Sequence, residues 1–184
     1  MDKVFIEGIE IDDPAEIRLI SVSTTLATNS IAEGKGARVA LVLIGYDPDL
    51  TRSFKLDARF GTAEFSYHAG GHDLFGREKQ PLDLDSILDY VISVKDRVDA
   101  LAVSSYFSPL NPEHEQRVFD AVSRICELPI VLGHQLSTKL GSVERATTAA
   151  LNASLLGLLR DFVIAVRRVS ERRHIHAPLM VVRG

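Results

Sequence analysis

The run Ala37-Arg-Val-Ala-Leu-Val-Leu-Ile-Gly-Tyr46 is the feature that most narrows the folds open to this chain. Nearly every side chain in it is apolar, and polar positions do not alternate with apolar ones. A strand wetted on one face alternates with a period of two, so an unbroken apolar run reads as a strand covered on both faces, as in a parallel sheet. Parallel neighbours need crossover connections, usually through helices.

The sequence after Pro81 supplies them. Asp85 is placed to cap a helix reaching about Lys95, with Ile87, Leu88, Val91 and Val94 on one face. Val98–Ser104 reads as a buried strand. Asn111-Pro-Glu113 opens the next helix with proline at its permitted first position, and Val118, Val122 and Ile125 form its core face. Leu128–Leu132 is another short buried strand. A long helix is expected from about Ser142 to Arg173, where Leu151, Leu155, Leu158, Phe162, Val166 and Val169 form one stripe. Arg167, Arg168, Arg172 and Arg173 suit the negative pole of its dipole, either as a solvated terminus or as an anion site. Leu179–Val182 then begins a strand, close to the last residue, Gly184. The alternation predicts an α/β fold: a mainly parallel or mixed sheet with flanking helices and one long C-terminal helix.

The first half is less regular. Phe5–Ile11 reads as a strand ended by Asp12-Asp-Pro14, and Ile17–Val22 as a second apolar run. Thr24–Glu33 has helical composition, closed by Gly34-Lys-Gly36. Residues 47–81 are expected to form a β-hairpin or excursion.

Composition excludes several classes. A net charge of −4 argues against nucleic acid or an anionic membrane as partner. No apolar run is expected to reach the length of a bilayer span, and no signal-peptide core follows Met1. The single cysteine, Cys126, rules out an internal disulfide and fits a reducing cytoplasm.

Three groups of residues are candidates for chemistry. Thr24, Thr25 and Asn29 lie where a strand passes into a helix, so their hydroxyls and amide can hold a small-molecule substrate. The plainer reading is a helix cap with Asn29 in water. His114, in the first turn of a helix, and His134, after the next strand, emerge at one sheet edge if those strands are neighbours. There they can share Zn²⁺ or Mn²⁺, or simply be loop residues bonded locally. His72 and Asp73, in Gly70-Gly-His-Asp-Leu-Phe-Gly76, are a weaker metal pair whose favoured reading is a surface turn. No standard phosphate loop, nucleophile elbow or CxxC occurs in the sequence.

Several segments, in order, resemble one family. Ser23-Thr-Thr-Leu-Ala-Thr-Asn29 with Glu33-Gly-Lys-Gly-Ala-Arg-Val39 is similar to the TTxATN…GARV stretch of the hydantoinase A and 5-oxoprolinase family. Val103-Ser-Ser-Tyr-Phe-Ser-Pro-Leu-Asn-Pro-Glu-His-Glu115 resembles its SxFSxxNPEHE segment, and Gly133-His-Gln-Leu-Ser137 occupies the place of SHEL. Glu144-Arg-Ala-Thr-Thr-Ala-Ala-Leu-Asn152 and Ala177-Pro-Leu-Met-Val-Val182 match the long helix and the strand after it.

The resemblance implies a partial actin-like (ribonuclease H-like) ATPase architecture. It also implies an enzyme that uses ATP and Mg²⁺ to activate a cyclic amide, which water then opens, or in related members to carboxylate a ketone. A second, hydantoinase B-type subunit is implied as partner, and a divalent metal near the histidine segments, although Asn111 stands where an acid would complete that ligand set. The family's opening GxDxGGTxTD phosphate loop has no counterpart before Ser21, and a second loop is expected beyond Gly184. The chain thus reads as a single α/β domain with 142–184 as the start of the next. It is expected to be a fragment inactive alone, whose uncovered helix stripe can drive self-association. The alternative is a non-catalytic ligand- or metal-binding module on the same fold.

Overall fold

A computed structural model describes residues 13–24, 29, 33 and 36–183. They fall into two compact units, 36–156 and a smaller one drawn from 1–35 and 157–184.

The larger unit is built on a four-stranded sheet, β2 (Val39–Ile44), β3 (Glu64–His68), β4 (Ala100–Ser105) and β5 (Ile130–Leu132), in the order β3-β2-β4-β5. Every pair is parallel; Ala40 faces Glu64 on one side and Leu101 on the other. All six residues of β2 are buried. Ala40, Val42 and Ile44 pack on one face against Ile87, Val91 and Val94 of α2 (Leu84–Val94) and Val118 and Val122 of α3 (Glu113–Val122). Val39, Leu41 and Leu43 pack on the other against Phe60 and Ala146, Ala149, Ala150 and Ala153 of α4 (Ser142–Arg172). The apolar run is therefore continuous because both sides of the strand are core.

Several expectations are corrected. Residues 47–81 form no hairpin: α1 (Pro48–Ser53) and a 3-10 turn at Asp57–Arg59 make a crossover, so β3 joins β2 in parallel. The half-buried edge position of β3 explains its mixed composition. Asp83, not Asp85, caps α2, its carboxylate accepting from the Ser86 amide. Pro112 is itself the cap residue of α3, and Ile125 is 39% exposed. The long helix turns an alanine stripe, Ala146, Ala149, Ala150 and Ala153, to the sheet. It is also long and apolar enough, with a window of mean hydropathy 1.6, to cross a membrane by length and composition. Those alanines are buried against the larger unit's sheet, while 28% of that apolar window is buried.

In the smaller unit β1 (Ile20–Thr24) pairs in parallel with β6 (Leu179–Arg183), Ile20 opposite Leu179. The strand expected at Phe5–Ile11 lies outside the described residues, as does most of the helix expected at Thr24–Glu33.

Candidate functional site

Four parallel strands end on one side, and in open α/β sheets that carboxyl edge is where ligands sit. Here it collects Gly45 and Tyr46 after β2, His68 closing β3, Ser105 closing β4, and Gly133 and His134 after β5.

At the β4–β5 end the centre is Glu115, in the first turn of α3 and fully buried. Its Oε1 accepts the Ser105 amide at 2.8 Å, and its Oε2 accepts both the His134 amide at 2.9 Å and His134 Nδ1 at 2.6 Å. With backbone N–H groups donating to both oxygens, the carboxylate is an acceptor, so His134 carries its proton on Nδ1. Its Nε2 has no hydrogen-bond partner among the described residues, and the side chain keeps 19% exposure. Buried Arg145 donates to the carbonyls of Ser105 (2.8 Å), Lys139 (3.1 Å) and Gly141 (3.4 Å). Tyr46 ties β2 into the same layer: its hydroxyl donates to the Ser142 carbonyl at 2.7 Å and accepts from Ser104 Oγ at 2.8 Å. Burial pushes this phenol well above its usual range.

Next to it, the loop after β3 folds back over β2. Gly45, at φ +74°, passes so close to it that a Cβ would stand 2.6 Å from the Gly70 carbonyl oxygen. The Gly71 amide donates to His114 Nδ1 at 2.9 Å, which leaves Nε2 protonated and donating to Glu78 at 2.9 Å. His72 lies against His114, ring centroids 4.3 Å apart, 1% exposed, and neither of its nitrogens has a partner among the described residues. Burial first, then the neighbouring His114, holds His72 below the ordinary histidine range, against the pull of Glu113, Glu78 and Asp73.

At the β2–β3 end a cleft of about 280 Å³ opens between Tyr46, Asp47, His68, Gly70, Lys79 and Gln80. His68 is buried, bonded through Nδ1 to Ser86 Oγ at 2.9 Å, and its Nε2, itself buried, has no partner among the described residues. Burial lowers its pKa, with Asp83 pulling the other way.

The sequence candidates are distributed as follows. The Thr24 side chain and all of Thr25 lie outside the described residues; Asn29 is helical and exposed. His114 and His134 reach the same edge but do not meet at a metal position: each is bound to its own carboxylate, and both nitrogens of His114 are occupied. His72 and Asp73 separate as well, because His72 points into the protein, which corrects the surface-turn reading. Asp73 instead accepts the Phe75 and Arg77 amides within its own turn. Among the described residues no three His, Cys, Asp or Glu side chains converge to hold a metal. A divalent ion does not fit this arrangement, and no step is routed through one. Glu115, Arg145, His68 and Tyr46 are the site residues that sequence reasoning missed.

The fold and this edge define an α/β domain with a ligand-type sheet edge. A family model described as the hydantoinase/oxoprolinase N-terminal region matches residues 4–126, and the chain belongs to that family. It is 29% identical over 194 residues to the acetophenone carboxylase gamma subunit of Aromatoleum aromaticum, covering 90% of this chain and 26% of that protein. It is 25% identical over 191 residues to caprolactamase subunit alpha of Pseudomonas jessenii, covering 90% of this chain and 27% of that protein. The crystal structure of the ATP-dependent caprolactamase from Pseudomonas jessenii matches with a TM-score of 0.71 at 22% identity, over 94% of this chain and 27% of that one, which shows the shared fold. The chain therefore spans about a quarter of the length of the curated relatives it matches.

Proposed function

We propose that this chain is a segment of an ATP-dependent enzyme that activates a cyclic amide and hydrolyses its C–N bond. An amide carbon is a poor electrophile. Phosphorylating its oxygen at the expense of ATP makes it reactive, and water then needs a base as it attacks. The observation that carries the reading is the Glu115–His134 pair, 2.6 Å apart, with Nε2 left open at the sheet edge. In this role His134 Nε2 takes a proton from the attacking water and returns it to the ring nitrogen as the C–N bond breaks; the acyl phosphate left behind is hydrolysed by a second water to the carboxylate and inorganic phosphate. Glu115 is a positioning residue that holds the proton on Nδ1.

Family membership supports the reaction class, and the two relatives are themselves named as subunits. The partial actin-like architecture, a second hydantoinase B-type subunit and a cytoplasmic setting belong to the same proposal. The cleft at β2–β3 has a single ammonium, Lys79, and does not fit a triphosphate with Mg²⁺, so ATP is assigned no place there. A second reading, carboxylation of a ketone, is favoured by the 29% identity to the acetophenone carboxylase subunit.

The test uses the tagged chain purified from its native host with the subunits that accompany it. ADP release is followed with hydantoin, 5-oxoproline and caprolactam, and separately with acetophenone plus bicarbonate. The expected result is ATP-dependent ring opening by the assembly and none by the isolated chain, with His134→Gln lowering kcat by about 100-fold or more. Turnover only with ketone and bicarbonate would replace the reading by the second one. Turnover by the isolated chain would overturn its status as a segment.

A further inference from the structure

The loop after β3 carries a turn, Asp73-Leu-Phe-Gly-Arg77, that has no part in the proton transfer just described. It holds Phe75 at 80% exposure and Leu74 at 64%. The turn is braced from several sides. The Asp73 amide donates to the Arg77 carbonyl at 2.9 Å, and the Gly76 amide to the Asp73 carbonyl at 3.0 Å. Asp73 Oδ1 accepts the Phe75 amide at 2.8 Å and the Arg77 amide at 3.0 Å. Asn111 Nδ2 donates to the Gly76 carbonyl at 3.0 Å, tying the turn to the loop of Leu110, itself 45% exposed. A lone exposed apolar residue is ordinary, but neighbouring ones fixed in place mark a contact surface. Side chains ordered before binding also lose less entropy when a partner takes them up.

The charges around the turn say what meets it. The Arg77 guanidinium lies over the Phe75 ring, 5.5 Å from its centroid. Neither it nor the exposed Lys79 ammonium has an ion pair among the described residues. Both acids of the segment are engaged inward, Asp73 with the amides of its own turn and Glu78 with His114 at 2.9 Å. The apolar tip is thus flanked by two cations free to meet carboxylates.

We infer that this turn is a docking anchor for a companion subunit, Leu74 and Phe75 entering an apolar pocket whose rim carries carboxylates for Arg77 and Lys79. The companion is the hydantoinase B-type subunit and rests on the multi-subunit reading above; the chemistry of its pocket rests on the turn.

The test separates the B-type subunit recovered with the tagged chain from the native host, remixes the two and measures their dissociation constant at low and high salt. The expected result is at least about tenfold weaker assembly for the double variant Leu74→Ser, Phe75→Ser, at an unchanged melting temperature because both side chains are exposed. The double variant Arg77→Gln, Lys79→Gln weakens assembly less and flattens its salt dependence. Unchanged affinity of the Leu74 and Phe75 variant would overturn the inference. So would a variant that assembles normally and differs only in self-association by light scattering, which seats a second copy on the turn, or only in binding anionic vesicles, which seats a membrane there. If no B-type subunit accompanies the chain, the multi-subunit reading fails and the inference with it. An assembly that forms through the turn yet opens no cyclic amide supports the inference and places the failure on the reaction.

Discussion

The two ends of the sheet edge bury polar groups in opposite ways. At β4–β5 each oxygen of the Glu115 carboxylate is met by N–H donors and the Arg145 guanidinium by three carbonyls, leaving Arg145 Nε and the hydroxyls of Ser105 and Ser108 without partners. At β2–β3 and in the loop beside it, His68 keeps one bare nitrogen and His72 two. A buried charge costs too much to leave uncompensated, whereas an unpaired nitrogen of a neutral imidazole carries a smaller penalty. The first end is a frame for His134; the second buries neutral imidazole nitrogens that no group meets among the described residues.

The sharpest way to break the contrast is Glu115→Ala. It strands the Ser105 and His134 amides and His134 Nδ1 in the interior, and should cost about 3–5 kcal/mol in urea unfolding. A loss below about 1 kcal/mol would show that this end is not held by its carboxylate. Gly45→Ala comes next, at about 2 kcal/mol, because φ +74° is unfavourable for alanine and the new Cβ meets backbone of the 70–71 turn.

At the other end the sign changes. His72→Phe removes two unpartnered nitrogens while keeping a ring against His114, so stability should hold or rise by about 1 kcal/mol. The same two histidines set a pH dependence. Both His68 and His72 are held below the ordinary range, chiefly by burial, so the unfolded chain takes up protons first as pH falls. Stability is therefore at its plateau above about pH 6.5 and declines below it. Melting curves from pH 7.5 to 5 should show that decline, and His72→Phe should flatten it. An equal pH dependence in the variant would separate His72 from the effect.

Much of this fold was legible because burial writes itself into the sequence. The unbroken apolar run of β2, the three-and-four spacing in α2 and α3 and the proline opening α3 all trace to which faces are core. β3 was missed because an edge strand carries a half-buried, mixed pattern, and Glu64-Phe-Ser-Tyr-His68 looks like a loop until its partner is known. The alanine stripe of α4 was overlooked since small residues at a close helix–sheet contact carry little hydrophobic signal.

The site was legible only in part. His134 was found as a residue at the edge, but its partner Glu115 is 19 positions away, and an acid in a helix's first turn ordinarily faces water. Arg145 was hidden for the same reason, an apparently solvent-type residue packed at 1% exposure. Whether His114 and His134 share a partner depends on ring orientation, which spacing does not encode; here the Gly71 amide and Glu78 claim His114 first.

The contrast between the two ends is tested most directly by ¹⁵N spectra of the histidine rings in the unaltered chain and in Glu115→Gln. The account predicts that His134 is in the Nδ1–H form in the unaltered chain and loses that preference in the variant, while the His68 and His72 rings are unmoved. An Nε2–H form of His134 in the unaltered chain would contradict it.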